Sequence, residues 1–151
     1  MSTEILPVEE GLQLDNQLCF KLYAASRAVI RAYKPMLDQL GLTYPQYLAM
    51  LVLWERDDLT VGEISQHLLT DPGSLTPLLK RLESEGLLQR NRSREDERVV
   101  MVQLTDKGRA LQQQAKAVPQ CILKASGRSL EQLQQLQADL LNLRENLQKN
   151  L

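Results

Sequence analysis

The sequence predicts a mainly α fold interrupted once, by a small two-stranded β-hairpin, within a single domain of 151 residues. Three observations carry this reading. Apolar residues recur at helical spacing over about residues 14–40 and again along the C-terminal stretch. Three helical segments open with a hydroxyl residue followed three places later by Gln or Glu, the capping box that satisfies orphan backbone N–H groups. The chain changes period only at "LLQRN" and "RVVMVQL", β-favouring runs that flank the polar "RSREDE".

The first helix carries two neighbouring stripes, Leu18, Leu22, Ala25, Val29, Ala32 and Cys19, Tyr23, Ile30, Tyr33, Leu37. A helix apolar over so wide an arc packs against more than one neighbour. In "LTYPQYLAMLVLWERDD" Thr43 caps and Gln46 closes the box; Pro45 falls in the first turn, where its missing N–H had no partner. Trp54 reads as core. "LTVGEISQHL" repeats the device with Thr60 and Glu63, giving a short helix over Val61–Leu69 that buries Ile64 and Leu68. In "TDPGSLTPLLKRLESEGLL" Ser74 is the expected cap, which leaves Pro77 among the first-turn positions. That helix runs to about Glu85 and Gly86 ends it. Leu75, Leu78, Leu79 and Leu82 make one face; Ser74, Thr76, Pro77, Lys80 and Arg81 make the other.

After the hairpin, helix resumes beyond Thr105 and reaches Pro119, a break or kink, with Cys121 just past it. Ser129 and Gln132 box the last helix. Its Leu133, Leu136, Leu140, Leu143 and Leu147 alternate three and four apart. That is coiled-coil spacing, and it also suits an amphipathic helix packed on its own domain.

Composition narrows the function classes. A chain 43% hydrophobic and 25% charged is ordinary globular material. No apolar run approaches the roughly 18 residues of a membrane span. "MSTEILPVEEG" is acidic with no apolar signal core, so a cytoplasmic protein without membrane contact is expected. Two cysteines in a reducing compartment are buried residues or redox chemistry. His67 is the only histidine, so a histidine-based metal site or triad has nothing to work with, and no cofactor or metal is expected. Net charge is −1, so positive charge for nucleic acid must be local.

It is local. Helix, short helix, helix and charged hairpin is the order of a winged helix-turn-helix. The short helix braces its successor, whose N-terminal half offers Ser74, Thr76 and Pro77 to base edges, with Lys80 and Arg81 further along. The hairpin carries Arg90, Arg92, Arg94 and Arg98 on one ribbon, where arginine grips phosphate or enters the minor groove. Asp96 reads as the carboxylate that orients Arg98 or Arg94. The alternative for the tip is plain solvation.

"DNQLCFKLYAASRAV", "YKPMLDQLGLTYPQYLAMLVLWE", "SLTPLLKRLESEGLL" and "REDERVVMVQLTDKG" together resemble the MarR family of winged-helix repressors, and within it the organic-hydroperoxide sensors of the OhrR type. The resemblance covers about Leu14 to Leu147, and Asp96–Arg98 corresponds to the family's wing signature. It implies a homodimer formed by helices in about 12–40 and 106–151, and a winged helix-turn-helix in about 43–104. It implies a palindromic double-stranded DNA operator, released when a cysteine is oxidised by organic hydroperoxide. The matching tyrosines, Tyr23, Tyr33 and Tyr44, surround the reactive Cys19, the last two from the other subunit.

Spacing is compatible with this. Cys19 and Tyr23 are i, i+4 on one helix face. Tyr33 lies about 21 Å further along a straight helix at 1.5 Å per residue, out of reach of its own Cys19 and within reach of a partner's in an antiparallel dimer. Phenol donors and a helix N-terminus both favour the thiolate, and Leu18, Phe20 and Leu22 supply apolar surroundings. The competing reading of Cys19 is a small buried hydrophobe. Cys121 is a resolving cysteine or an inert thiol. Rival functions are a MarR-type repressor released by a small aromatic ligand, and a thiol peroxidase using Cys19. The helix-turn-helix and wing argue against an enzyme, which needs neither.

Overall fold

The computed structural model describes residues 7–151, so the first six residues of the expected signal-free N-terminus lie outside the described residues. A short helix α1 (Val8–Gly11) and a 3-10 turn (Leu14–Asn16) precede α2 (Leu18–Leu40). The long helix thus begins at Leu18 and not at Leu14, because the backbone is extended at Gln17, with ψ 116°. α2 runs through Pro35 and stops at Gly41, which takes the left-handed conformation at φ 71° that a Cβ would oppose.

α3 (Tyr44–Glu55) is the centre of the molecule, with α2, α4 (Val61–Leu68), α5 (Pro72–Ser84) and α6 (Asp106–Ala115) packed around it. The capping boxes at Thr43, Thr60 and Ser129 all form. Leu37, Met50, Leu53, Ile64, Leu79 and Val102 fill the core; Leu68 is only half-buried.

The hairpin of β2 (Leu88–Arg92) and β3 (Val100–Leu104) gains a third strand, β1 (Leu59–Thr60), in the antiparallel order β1–β3–β2. Val102 lies between Leu59 and Arg90 in register. A two-residue strand carries no period of its own, so "LT" read only as the lead-in to α4.

The cap of α5 differs from expectation. Asp71, and not Ser74, is the N-cap: its carboxylate accepts the Ser74 N–H at 2.9 Å and the Ser74 hydroxyl at 2.7 Å. Pro72 therefore opens the helix, and Pro77 lies inside it on the exposed side. The helix ends at Ser84, with Gly86 left-handed at φ 79°.

α6 ends at Ala115, and Pro119 is the second residue of α7 (Val118–Ser126), so the proline starts the next helix. α8 (Leu130–Lys149) has no buried residue, and Leu136 and Leu147 are 47% and 58% exposed. Most of its leucine face stays exposed, while Leu133 and Leu143 are half-buried. The broad apolar arc of α2 is likewise uncovered from Leu18 to Ala32. Among the described residues no helix is long and apolar enough to cross a membrane.

Candidate nucleic-acid interface and thiol site

α5 is fixed by its Leu75, Leu79 and Leu82 face, which is buried against α3 and α4. Its opposite side leaves Ser74, Pro77, Lys80 and Arg81 exposed and Thr76 partly so. Ser74 is engaged at the cap, and the Thr76 hydroxyl donates to the Pro72 carbonyl at 3.0 Å. Arg81 leans toward Glu85 at 3.8 Å, an exposed pair that leaves the guanidinium largely in water.

The wing is tied to this helix. Glu83 accepts the Arg90 N–H at 2.7 Å and the Arg90 guanidinium at 3.1 Å. Arg90, expected beside the other ribbon arginines, is therefore a half-buried strut. The backbone N–H of Arg90, followed by its guanidinium, holds the Glu83 carboxyl below the usual carboxylate range. At the tip Asp96 accepts from both the N–H and the Nε of Arg98, at 3.0 and 3.2 Å, so Arg98 is the arginine it orients. Arg92 donates to the Glu97 carbonyl at 3.2 Å, and Arg94 is exposed. His67 is exposed on α4.

The thiols are far less enclosed than the stripe pattern predicts. Cys19, in the first turn of α2, and Cys121, in the first turn of α7, are both free and exposed. Leu18, Phe20 and Leu22 around Cys19 are exposed too. Tyr23 is exposed and stands under the guanidinium of Arg27 at 5.4 Å. Tyr33 and Tyr44 do come together, rings 5.2 Å apart, and Tyr33 also packs on Tyr47 at 5.8 Å. Burial, then the neighbouring Tyr44, pushes the Tyr33 phenol up.

This phenol cluster lies between two apolar hollows. One of about 270 Å³ is bounded by Ile30, Leu37, Leu42 and Tyr44, with Arg31, Lys34 and Asp38 also on its wall. The other, about 280 Å³, is bounded by Tyr33, Pro119, Ile122 and Leu133. Within one chain the cluster does not close around Cys19.

The comparisons with known proteins match this layout. Residues 31–115 match the family model described as transcriptional regulator SarA/Rot. An organic hydroperoxide resistance transcriptional regulator of Bacillus subtilis is 51% identical, over 93% of this chain and 97% of its own. The chain belongs to the MarR family of winged-helix transcriptional regulators. Among solved MarR-type structures, reduced AbfR bound to DNA superposes with a TM-score of 0.77 at 37% identity, covering 93% of this chain and 96% of that one. The disulfide-formed AbfR gives 0.62 at 36% identity, covering 93% and 94%.

Sequence reasoning missed Asp71, Tyr47 and the Glu83–Arg90 tie. Asp-Pro at 71–72 was an available signal for the first, since Asp favours the cap and Pro the position after it.

Proposed function

We propose that this MarR-family regulator is a homodimeric repressor that binds a palindromic operator and releases it when organic hydroperoxide oxidises Cys19. The observation that carries the reading is the exposed thiol on a helix whose apolar N-terminal part, Leu18 to Ala32, stays exposed. The exposed leucines of α2 and α8 are roughly half in water, and burying the rest of each is worth about 1 kcal/mol, so a second copy on these faces is the stable arrangement. The same association brings a partner's Tyr33–Tyr44 pair toward Cys19, which lies too far from Tyr33 along its own helix. The hollows beside those phenols suit the apolar group of an organic peroxide over hydrogen peroxide.

The chemistry balances within this residue set. The Cys19 thiolate attacks the outer peroxide oxygen; an S–O bond forms, the O–O bond breaks, and the alkoxide leaves as an alcohol after protonation. Cys121 of the other subunit then attacks the sulfenic sulfur, forming the disulfide and releasing water. Ser74, Thr76, Pro77, Lys80 and Arg81 meet the major groove, while Arg92, Arg94 and Arg98, held by Asp96, reach phosphate or the minor groove. The better superposition on reduced, DNA-bound AbfR than on its disulfide form supports reading the present conformation as the operator-competent one.

The test is a gel shift on operator DNA with increasing cumene hydroperoxide, repeated after dithiothreitol. Release that dithiothreitol reverses supports the reading; oxidant-indifferent binding that responds to a small aromatic ligand assigns the rival.

A further inference from the structure

Two side chains bridge the thiol site and the base of the wing. Tyr47 and Trp54 stand two turns apart on one face of α3. Tyr47 is 3% exposed, packs on Tyr33, and meets Trp54 edge-on at 6.5 Å and 68°. The Trp54 indole N–H donates to the Gly108 carbonyl at 2.9 Å. Gly108 is in the first turn of α6, where an added Cβ would collide with the Leu87 carbonyl oxygen. That turn is also tied to the end of the reading helix: the Thr105 hydroxyl donates to the Gly86 carbonyl at 2.6 Å and the Lys107 ammonium to that of Glu85 at 2.9 Å. Trp54 thus grips the joint where α5 ends, β2 begins and α6 begins.

We propose that Tyr47 and Trp54 are the positioning residues through which a displacement of Tyr33 reaches this joint and so the wing and reading helix. The inference rests on Cys19 being the sensor. Close-packed interiors move between discrete packings and do not deform smoothly. Tyr33 packs on Tyr47 and Tyr47 on the indole, so a shift of Tyr33 toward α3 is passed along this row of rings. Gly108, pressed on Leu87, cannot absorb the motion locally, so the joint moves as a unit. Lying in between is not itself coupling, so the test measures linkage.

Trp54→Phe keeps a ring and removes the N–H. Operator affinity is measured in reduced and in cumene-hydroperoxide-treated protein, with Cys19 oxidation followed separately by mass. The variant should keep reduced affinity within about twofold and oxidise fully, while the ratio of reduced to oxidised affinity falls about tenfold, within the usual range of allosteric coupling. Trp54 is also the sole tryptophan, so its emission reports on the joint in the unaltered protein. Hydroperoxide should shift that emission in the wild type and not in Cys19→Ser. An unchanged affinity ratio in Trp54→Phe overturns the coupling and leaves the sensor reading standing, as does silent emission in a wild type that releases DNA. A wild type oxidised at Cys19 that still holds its operator overturns both.

Discussion

Tyr33 and Tyr44 owe their pairing to a helix-to-helix contact, and each lines a hollow beside it. A phenol there stabilises a thiolate better than water does, because a hydrogen bond to a charged group is worth roughly 1.5–3 kcal/mol. Tyr33→Phe or Tyr44→Phe should therefore slow Cys19 oxidation by on the order of tenfold without unfolding the dimer. Time-resolved mass spectrometry of the oxidised thiol checks this, and wild-type rates in both variants would reduce the phenols to packing. Cys19, Tyr23, Tyr33 and Tyr44 became candidates from residue type, spacing and family resemblance. Tyr47 did not, since a phenol in a mostly apolar helix reads as core. Trp54 did read as core, but its acceptor Gly108 lies far along the chain, where periodicity says nothing.

At the level of elements, reading helix and wing behave as one body because Glu83 holds β2. Glu83 is carried below the ordinary carboxylate range in the fold, and so is Asp71, chiefly through the Ser74 hydroxyl and then its N–H. A carboxyl with a depressed folded-state pKa contributes stability above its unfolded value, near 4, and that contribution is lost as pH falls through the folded pKa. Stability should therefore be flat at neutral pH and decline below about pH 4. Glu83→Gln should be less stable at pH 7 and show a shallower decline, read by urea unfolding across pH 3–7; parallel curves would remove the tie. Arg94 is exposed at the wing tip, so Arg94→Ala should weaken binding similarly for all sequences and lower the salt slope by about one. Fluorescence anisotropy over a salt series reads it, and an unaltered slope would take the tip out of the interface. The helices and hairpin were evident beforehand because caps and period are local signals. The start of α5 was misplaced because Pro77 was assumed to need the first turn, whereas the exposed side of the helix tolerates it at its sixth residue.

Across the whole molecule, leucines of α2 and of α8 stay exposed, and the proposed homodimer is what would cover them. Periodicity showed the stripes but not their lack of a partner within the chain, which is a property of the packed molecule. In the dimer, oxidation should join Cys19 to Cys121 of the other subunit. A disulfide needs Cα atoms within about 7 Å, so its closure pulls on α2 and α7 and moves the reading helices off their roughly 34 Å operator spacing. Peroxide-treated protein should run as a covalent dimer on a non-reducing gel, and Cys121→Ser should not; a wild-type monomer with a small-thiol adduct on Cys19 would make Cys121 a bystander. The central claim, that one thiol governs operator release, is met most directly by titrating DNA-bound wild type and Cys19→Ser with cumene hydroperoxide while anisotropy follows the DNA. Wild type should release its operator as about one equivalent per protomer is consumed, the stoichiometry of a single sulfenic acid and its disulfide, and Cys19→Ser should stay bound throughout. Release of Cys19→Ser at the wild-type concentration of peroxide would contradict the account.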